Sequence, residues 1–102
     1  MTWTSVCEFR ELAVGMPVAV MVDGDAICVV RAGDDVFAVH DECTHAAVPL
    51  SEGEVDGATI ECWRHGWKFD LRTGEALNLP ATAPVRTYPV RVHDGHVQVS
   101  RT

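Results

Sequence analysis

The sequence predicts a small all-β domain, an antiparallel sandwich or barrel. Three observations carry that expectation. Short runs rich in Val, Ile and Ala recur along the chain, Asp–Gly and Gly–Asp pairs punctuate them, and only one brief segment suits a helical turn. A length of 102 residues allows one core-bearing domain and excludes a large multidomain enzyme. With 47% hydrophobic and 23% charged residues, the composition is that of a globular protein rather than a disordered segment.

Taken in order, Glu8 to Leu12 is the segment suited to a helical turn. Pro17 to Val22 and Ala26 to Arg31 read as strands, joined by Asp23-Gly24-Asp25. That join is a hairpin signal, because Asp–Gly accepts the positive φ angles a tight two-residue turn requires. Gly33-Asp34-Asp35 makes a second turn into Val36 to Val39. Ala58 to Trp63 and Lys68 to Leu71 are two further strands. Val85 to Val92 and His96 to Ser100 flank Asp94-Gly95, another hairpin signal.

The rhythm breaks between Asp41 and Asn78. This stretch holds two Cys–His pairs, two of the three tryptophans and several glycines. Loop-like segments run from Thr44 to Leu50, Arg64 to Trp67 and Asn78 to Pro84. The expectation is one domain over residues 1–102 with an inserted subdomain at about residues 41–83. A metal centre would organise such a subdomain in place of large apolar side chains.

Eight Lys and Arg against fifteen Asp and Glu give 8 − 15 = −7. That balance opposes binding to nucleic acid or to anionic membrane surfaces, and it suits docking to a basic protein face. The N-terminal residues carry no basic region followed by a long apolar run. The longest apolar stretch, Met16 to Val22, contains Pro17 and stops at Asp23, far short of a membrane span. A soluble, cytoplasmic protein is expected, with Cys7, Cys28, Cys43 and Cys62 as thiols or metal ligands rather than a disulfide framework.

Cys43-Thr44-His45 and Cys62-Trp63-Arg64-His65 are the two boxes that carry chemistry, with sixteen residues between His45 and Cys62. Thiolate and imidazole are strong ligands for borderline-soft metals. One zinc could take all four in a tetrahedron. A [2Fe–2S] cluster could instead take both cysteines on one iron and both histidines on the other. Zinc sites usually keep like ligands together and space them by two or more residues. Here each box begins with Cys and ends with His, so each loop can reach both irons of an elongated cluster.

These boxes resemble those of Rieske-type ferredoxins, the electron-carrying components of bacterial ring-hydroxylating dioxygenase systems. The resemblance continues through Gly66-Trp67-Lys68-Phe69-Asp70, through Leu50-Ser51-Glu52-Gly53, and from Leu71-Arg72-Thr73-Gly74 to Leu79-Pro80-Ala81, and so covers essentially the whole chain. It implies one Rieske [2Fe–2S] cluster, with Cys43 and Cys62 on the inner iron and His45 and His65 on the outer one. It also implies the partners: a flavoprotein ferredoxin reductase that supplies electrons and a terminal non-haem iron oxygenase that receives them. The protein itself would catalyse no bond chemistry. With neutral imidazoles the oxidised centre sums to zero charge, and one electron takes it to −1.

Departures from the respiratory Rieske pattern matter as well. The extra cysteines that form a disulfide between the loops in that pattern are Val48 and Arg64 here. Where that pattern places hydroxyl groups beside the cluster, this chain has Trp67 and Phe69. Fewer hydrogen-bond donors leave the reduced state less stabilised, so a low potential is implied. The proline-bearing segment at Pro80 would shield the cluster in this resemblance, and Ala46, Ala47, Val48 and Pro80 would form an apolar docking rim.

Cys7 and Cys28 read as core thiols, His40, His93 and His96 as surface or turn residues, and Glu52 to Gly57 as a solvated acidic turn. Trp67 is expected to pack beside its box, while Trp63 suits either a core or a partner-facing place. Alternative roles are a housekeeping Rieske redox or Fe–S assembly accessory and a nitrite reductase small subunit. Small subunits of that kind often lack cluster ligands, whereas all four are present here.

Overall fold

Val, Ile and aromatic residues alternating with polar ones build nine short strands among the described residues, which are 2–44, 47–64, 66–78 and 83–101 of the computed structural model. They are β1 (Thr4–Glu8), β2 (Val18–Val22), β3 (Asp25–Ala32), β4 (Asp35–His40), β5 (Glu54–Asp56), β6 (Thr59–Glu61), β7 (Lys68–Asp70), β8 (Val90–His93) and β9 (His96–Val99). Three antiparallel sheets result, ordered β1-β9-β8, β2-β3-β4 and β5-β6-β7.

The middle sheet, β2-β3-β4, is shared by two cores. On one face Ile27 and Val29 of β3 join Val22, Ala38, Leu12, Tyr88, Val97 and Val99. On the other face Cys28 and Val30 join Val39 and the buried residues of the cysteine-bearing region: Cys43, Leu50, Ile60, Cys62, Phe69 and Leu71. Residues 27 to 30 are therefore all buried, and the run reads in sequence as continuously apolar instead of alternating. Apart from Val85 to Val92, the foreseen strands, the helical turn and the hairpins at Asp23-Gly24 and Asp94-Gly95 are present. Both residues of each pair have positive φ, as a tight right-twisting hairpin demands. The helical turn is a single 3-10 turn, Phe9–Glu11.

Three expectations change. Val85 to Val92 is not one strand. The Tyr88 N–H donates to the Ala38 carbonyl and the His40 N–H to the Arg86 carbonyl, at 2.8 Å each, so the first half lies along β4. Pro89, which has no N–H, ends that pairing, and Val90–His93 joins the outer sheet beside β9. The acidic stretch Glu52 to Gly57 is not simply a turn. Its centre is β5, with Val55 directed at the core and Glu54 and Asp56 exposed. His40 lies in strand β4 and is half-buried, not in a turn. Strand β1, which carries the strand-like run around Cys7, pairs with β9 around a bulge between Ser5 and Cys7.

Gly74 joins the cysteine-bearing region to the rest of the chain. Its φ is +82°, and an added Cβ would run into the Val85 carbonyl. The Val85 N–H donates to the Gly74 carbonyl at 2.8 Å, so two backbone segments meet there without room for a side chain.

Cys28 titrates in a way that the two-faced strand determines. Burial, and secondarily the Asp41 carboxylate, pushes its thiol from 9.0 up to about 12. The unfolded chain releases this proton near the lower value while the folded chain retains it. Stability from this group is thus intact below about pH 9 and declines as pH rises toward about 12, by up to ~1.4 kcal/mol per unit. Urea titrations across pH 7 to about 11 should show that decline, and Cys28→Ala should make it shallower.

Candidate metal centre

Cys43 and Cys62 are brought into one core, with exposures of 2% and 0%. Each begins a loop closed in the same way. The Cys43 N–H donates to the Val48 carbonyl at 2.9 Å, and the Cys62 N–H donates to the Trp67 carbonyl at 2.7 Å. Each bond spans five residues, so the chain leaves and re-enters the core at adjacent points. The second loop is the connection of the β6–β7 hairpin, whose last paired residues are Glu61 and Lys68. Gly66, at φ +71°, turns it sharply, and its N–H returns to the Cys62 carbonyl at 3.1 Å.

His45 and His65, the histidines of the two boxes, lie outside the described residues, as do Ala46 and Pro80. The remaining expected positions divide. Val48 is not part of an exposed rim: at 9% exposure it packs with Cys43 and Leu50, because its carbonyl is the one that closes the first loop. Ala47 is exposed. Trp67 packs partly buried against the cysteine core, as expected, whereas Trp63 is 55% exposed beside Cys62. Leu77, also exposed, lies next to β7, its N–H donating to the Lys68 carbonyl at 2.8 Å. Cys28 is fully buried, Cys7 is half-buried against the other core, and His93 and His96 are exposed on the β8–β9 hairpin.

Further bonds brace the first loop. The Thr44 hydroxyl donates to the Ala83 carbonyl at 2.5 Å, tying the residue after Cys43 to the segment that follows the proline stretch. Asp41, two residues before Cys43, accepts from the Ser51 N–H at 2.7 Å and from the Ser51 hydroxyl at 2.8 Å. Sequence reasoning passed over Asp41 and Ser51. An acid directly after a strand and just ahead of a ligand box, in a place destined for burial, was the available signal.

The donor chemistry fits an iron–sulfur group. Two cysteines share an otherwise apolar core at the bases of two loops, which suits thiolate ligation of an inner iron. Among the described residues, no three His, Cys, Asp or Glu side chains are grouped to hold a metal ion. The outer face of β5-β6-β7 is acidic: the register places Glu54 beside Glu61 and Lys68, and Asp56 beside Thr59 and Asp70.

Comparison with known proteins gives the same direction. The family model for the Rieske [2Fe–2S] domain matches residues 2–89. The ferredoxin subunit of anthranilate 1,2-dioxygenase from Burkholderia cepacia is 40% identical over 98 residues, 96% of this chain and 91% of that protein. The ferredoxin of carbazole 1,9a-dioxygenase from Nocardioides aromaticivorans IC177 superposes with a TM-score of 0.94 at 38% identity, covering 100% of both chains. A ferredoxin solved in complex with the oxygenase of carbazole 1,9a-dioxygenase gives 0.90 at 37% identity, over 96% of this chain and 92% of that one.

Proposed function

The chain belongs to the Rieske [2Fe–2S] domain family, and from that membership we propose that it is the ferredoxin component of a ring-hydroxylating dioxygenase system. It accepts one electron from a flavoprotein reductase and delivers it to a non-haem iron oxygenase, and it is not itself a catalyst. The observation that carries this reading is the pair of buried cysteines opening two identically closed loops, in a chain that matches ferredoxin subunits over nearly its whole length. These features favour the reading over an assembly accessory or a nitrite reductase small subunit.

Cys43 and Cys62 would hold the inner iron and His45 and His65 the outer one, within a subdomain of about residues 41–83 in one domain. The [2Fe–2S] group, when bound, supplies a one-electron couple. The chain's own part is to keep water from the sulfur side, which Leu50, Ile60 and Phe69 do around the cysteines. It also offers apolar surface where a partner must approach: Trp63 and Leu77 are exposed on the two segments flanking β7. A cytoplasmic location belongs to the same proposal. Among the described residues no helix is long and apolar enough to cross a membrane, and the thiols of Cys7 and Cys28 suit a reducing compartment.

Purified protein should be red-brown and carry two iron and two sulfide per chain, where a zinc protein would be colourless. Replacing His45 or His65 by Ser should abolish the visible spectrum, and an intact spectrum in either variant would overturn the ligand set. Transfer to the true partner should slow as ionic strength rises over tens to hundreds of millimolar, since the steering acids lie on an exposed face and the Debye length is about 10 Å at 0.1 M. Stopped-flow rates across that range decide it; rates indifferent to salt would contradict the docking reading. Voltammetry should place the potential near the bottom of the Rieske range, about −150 mV, because Trp67 and Phe69 bring no hydroxyl to the cluster. A value above zero would mean that other donors surround it.

A further inference from the structure

We propose that Asp41 is a positioning residue of the metal centre whose buried negative charge lowers the reduction potential, with Ser51 as its compensating partner. The inference rests on the electron-carrier reading above. Asp41 is 9% exposed, one of two buried polar side chains among the described residues. Its two oxygens are both used as acceptors, Oδ1 by the Ser51 N–H and Oδ2 by the Ser51 hydroxyl. The Ser51 N–H can only donate, so Oδ1 is fixed as an acceptor, and the Ser51 hydroxyl completes the pair at Oδ2. Among the described residues no Lys, Arg or His forms an ion pair with it. The charge is held by dipoles and not neutralised by a counter-ion.

Its position makes that charge consequential. The Asp41 N–H donates to the Ala26 carbonyl at 3.0 Å, which fixes the residue to the entry of β3. From there it spans to the turn after Leu50, and two residues later comes Cys43, whose side chain shares a core with Cys28 and Cys62. The field of Asp41 is felt inside that core, where it helps hold the Cys28 thiol in its protonated form. An electron added to a centre bound by Cys43 and Cys62 adds negative charge to the same low-dielectric region. A fixed carboxylate there opposes reduction more strongly than any exposed acid, because burial limits screening. Each hydrogen bond from Ser51 draws off part of that effect.

Two substitutions separate charge from bracing because they predict opposite signs. Asp41→Asn keeps an acceptor for the Ser51 N–H and offers its amide to the Ser51 oxygen, so the geometry persists while the charge goes. Its potential should rise by about tenfold in the one-electron equilibrium constant, about 59 mV. Ser51→Ala keeps the charge and removes one compensating donor, so its potential should fall. Both are read by protein-film voltammetry on holoprotein with an unchanged visible spectrum. An Asn variant with an unchanged or lower potential overturns the proposal. Should that variant bind no cluster, Ser51→Ala decides alone: a fall supports the proposal, and no change or a rise overturns it. Iron and sulfide content of the unmodified protein tests the parent reading separately. A colourless, iron-free protein overturns both, whereas a red-brown one whose potential ignores these substitutions overturns this proposal only.

Discussion

Burial of β3 on both faces is the constraint from which the rest of the molecule follows. A strand whose residues 27 to 30 are all buried needs a layer against each side. The β1-β9-β8 sheet supplies one layer and the cysteine-bearing region supplies the other. A chain of this length cannot fill two large cores with aliphatic side chains alone. The second layer accordingly rests on strands of only three residues each, with cysteines at the bases of its loops. A metal centre in that layer cross-links its loops, and the binding free energy then also serves folding.

The two loops show how little backbone such a centre requires. In each, one N–H to carbonyl bond across five residues brings the chain back to its point of departure. The first loop grows out of the central sheet through Asp41, and the second is the connection of a hairpin that packs Ile60 and Phe69 inward. Cys43 and Cys62 are thereby referenced to different sheets but enter one core. Relative placement of the two boxes draws on two close backbone approaches, at Gly53 within the β5-β6-β7 region and at Gly74 against the segment of Val85. An added Cβ would strike the Glu61 carbonyl at the first and the Val85 carbonyl at the second.

Much of this was legible in the sequence because it rests on local signals. The Asp23-Gly24 and Asp94-Gly95 turns announce themselves through residues that tolerate positive φ, and the two Cys–His boxes through ligand chemistry. What escaped depends on distant partners. The run around Cys7 reads as strand-like, but its pairing was hidden because β9 lies more than eighty residues away. Val85 to Val92 has the composition of one strand, but Pro89 sends its halves to different sheets. Glu54-Val55-Asp56 looked like a solvated turn because two of its three residues are acids, yet alternation places the single valine inward. Val48 looked like surface in a loop and is held in the core by the bond that closes that loop.

The acidic character of the chain therefore divides into two populations with different physics. Glu54, Asp56, Glu61 and Asp70 lie on the outer face of a sheet, where water and salt screen them within about 8 Å at physiological ionic strength. They can guide a basic partner at a distance but exert little influence on the energy of an electron inside. Asp41 is the reverse case: shielded from solvent, bonded through both oxygens, and two positions before Cys43. Its proposed influence falls in the interior, where screening is weakest. A carrier that must recognise two partners while holding one potential gains from that separation. Substitutions on the outer face can then retune recognition, while the role proposed for Asp41 keeps control of the electron's energy in the interior.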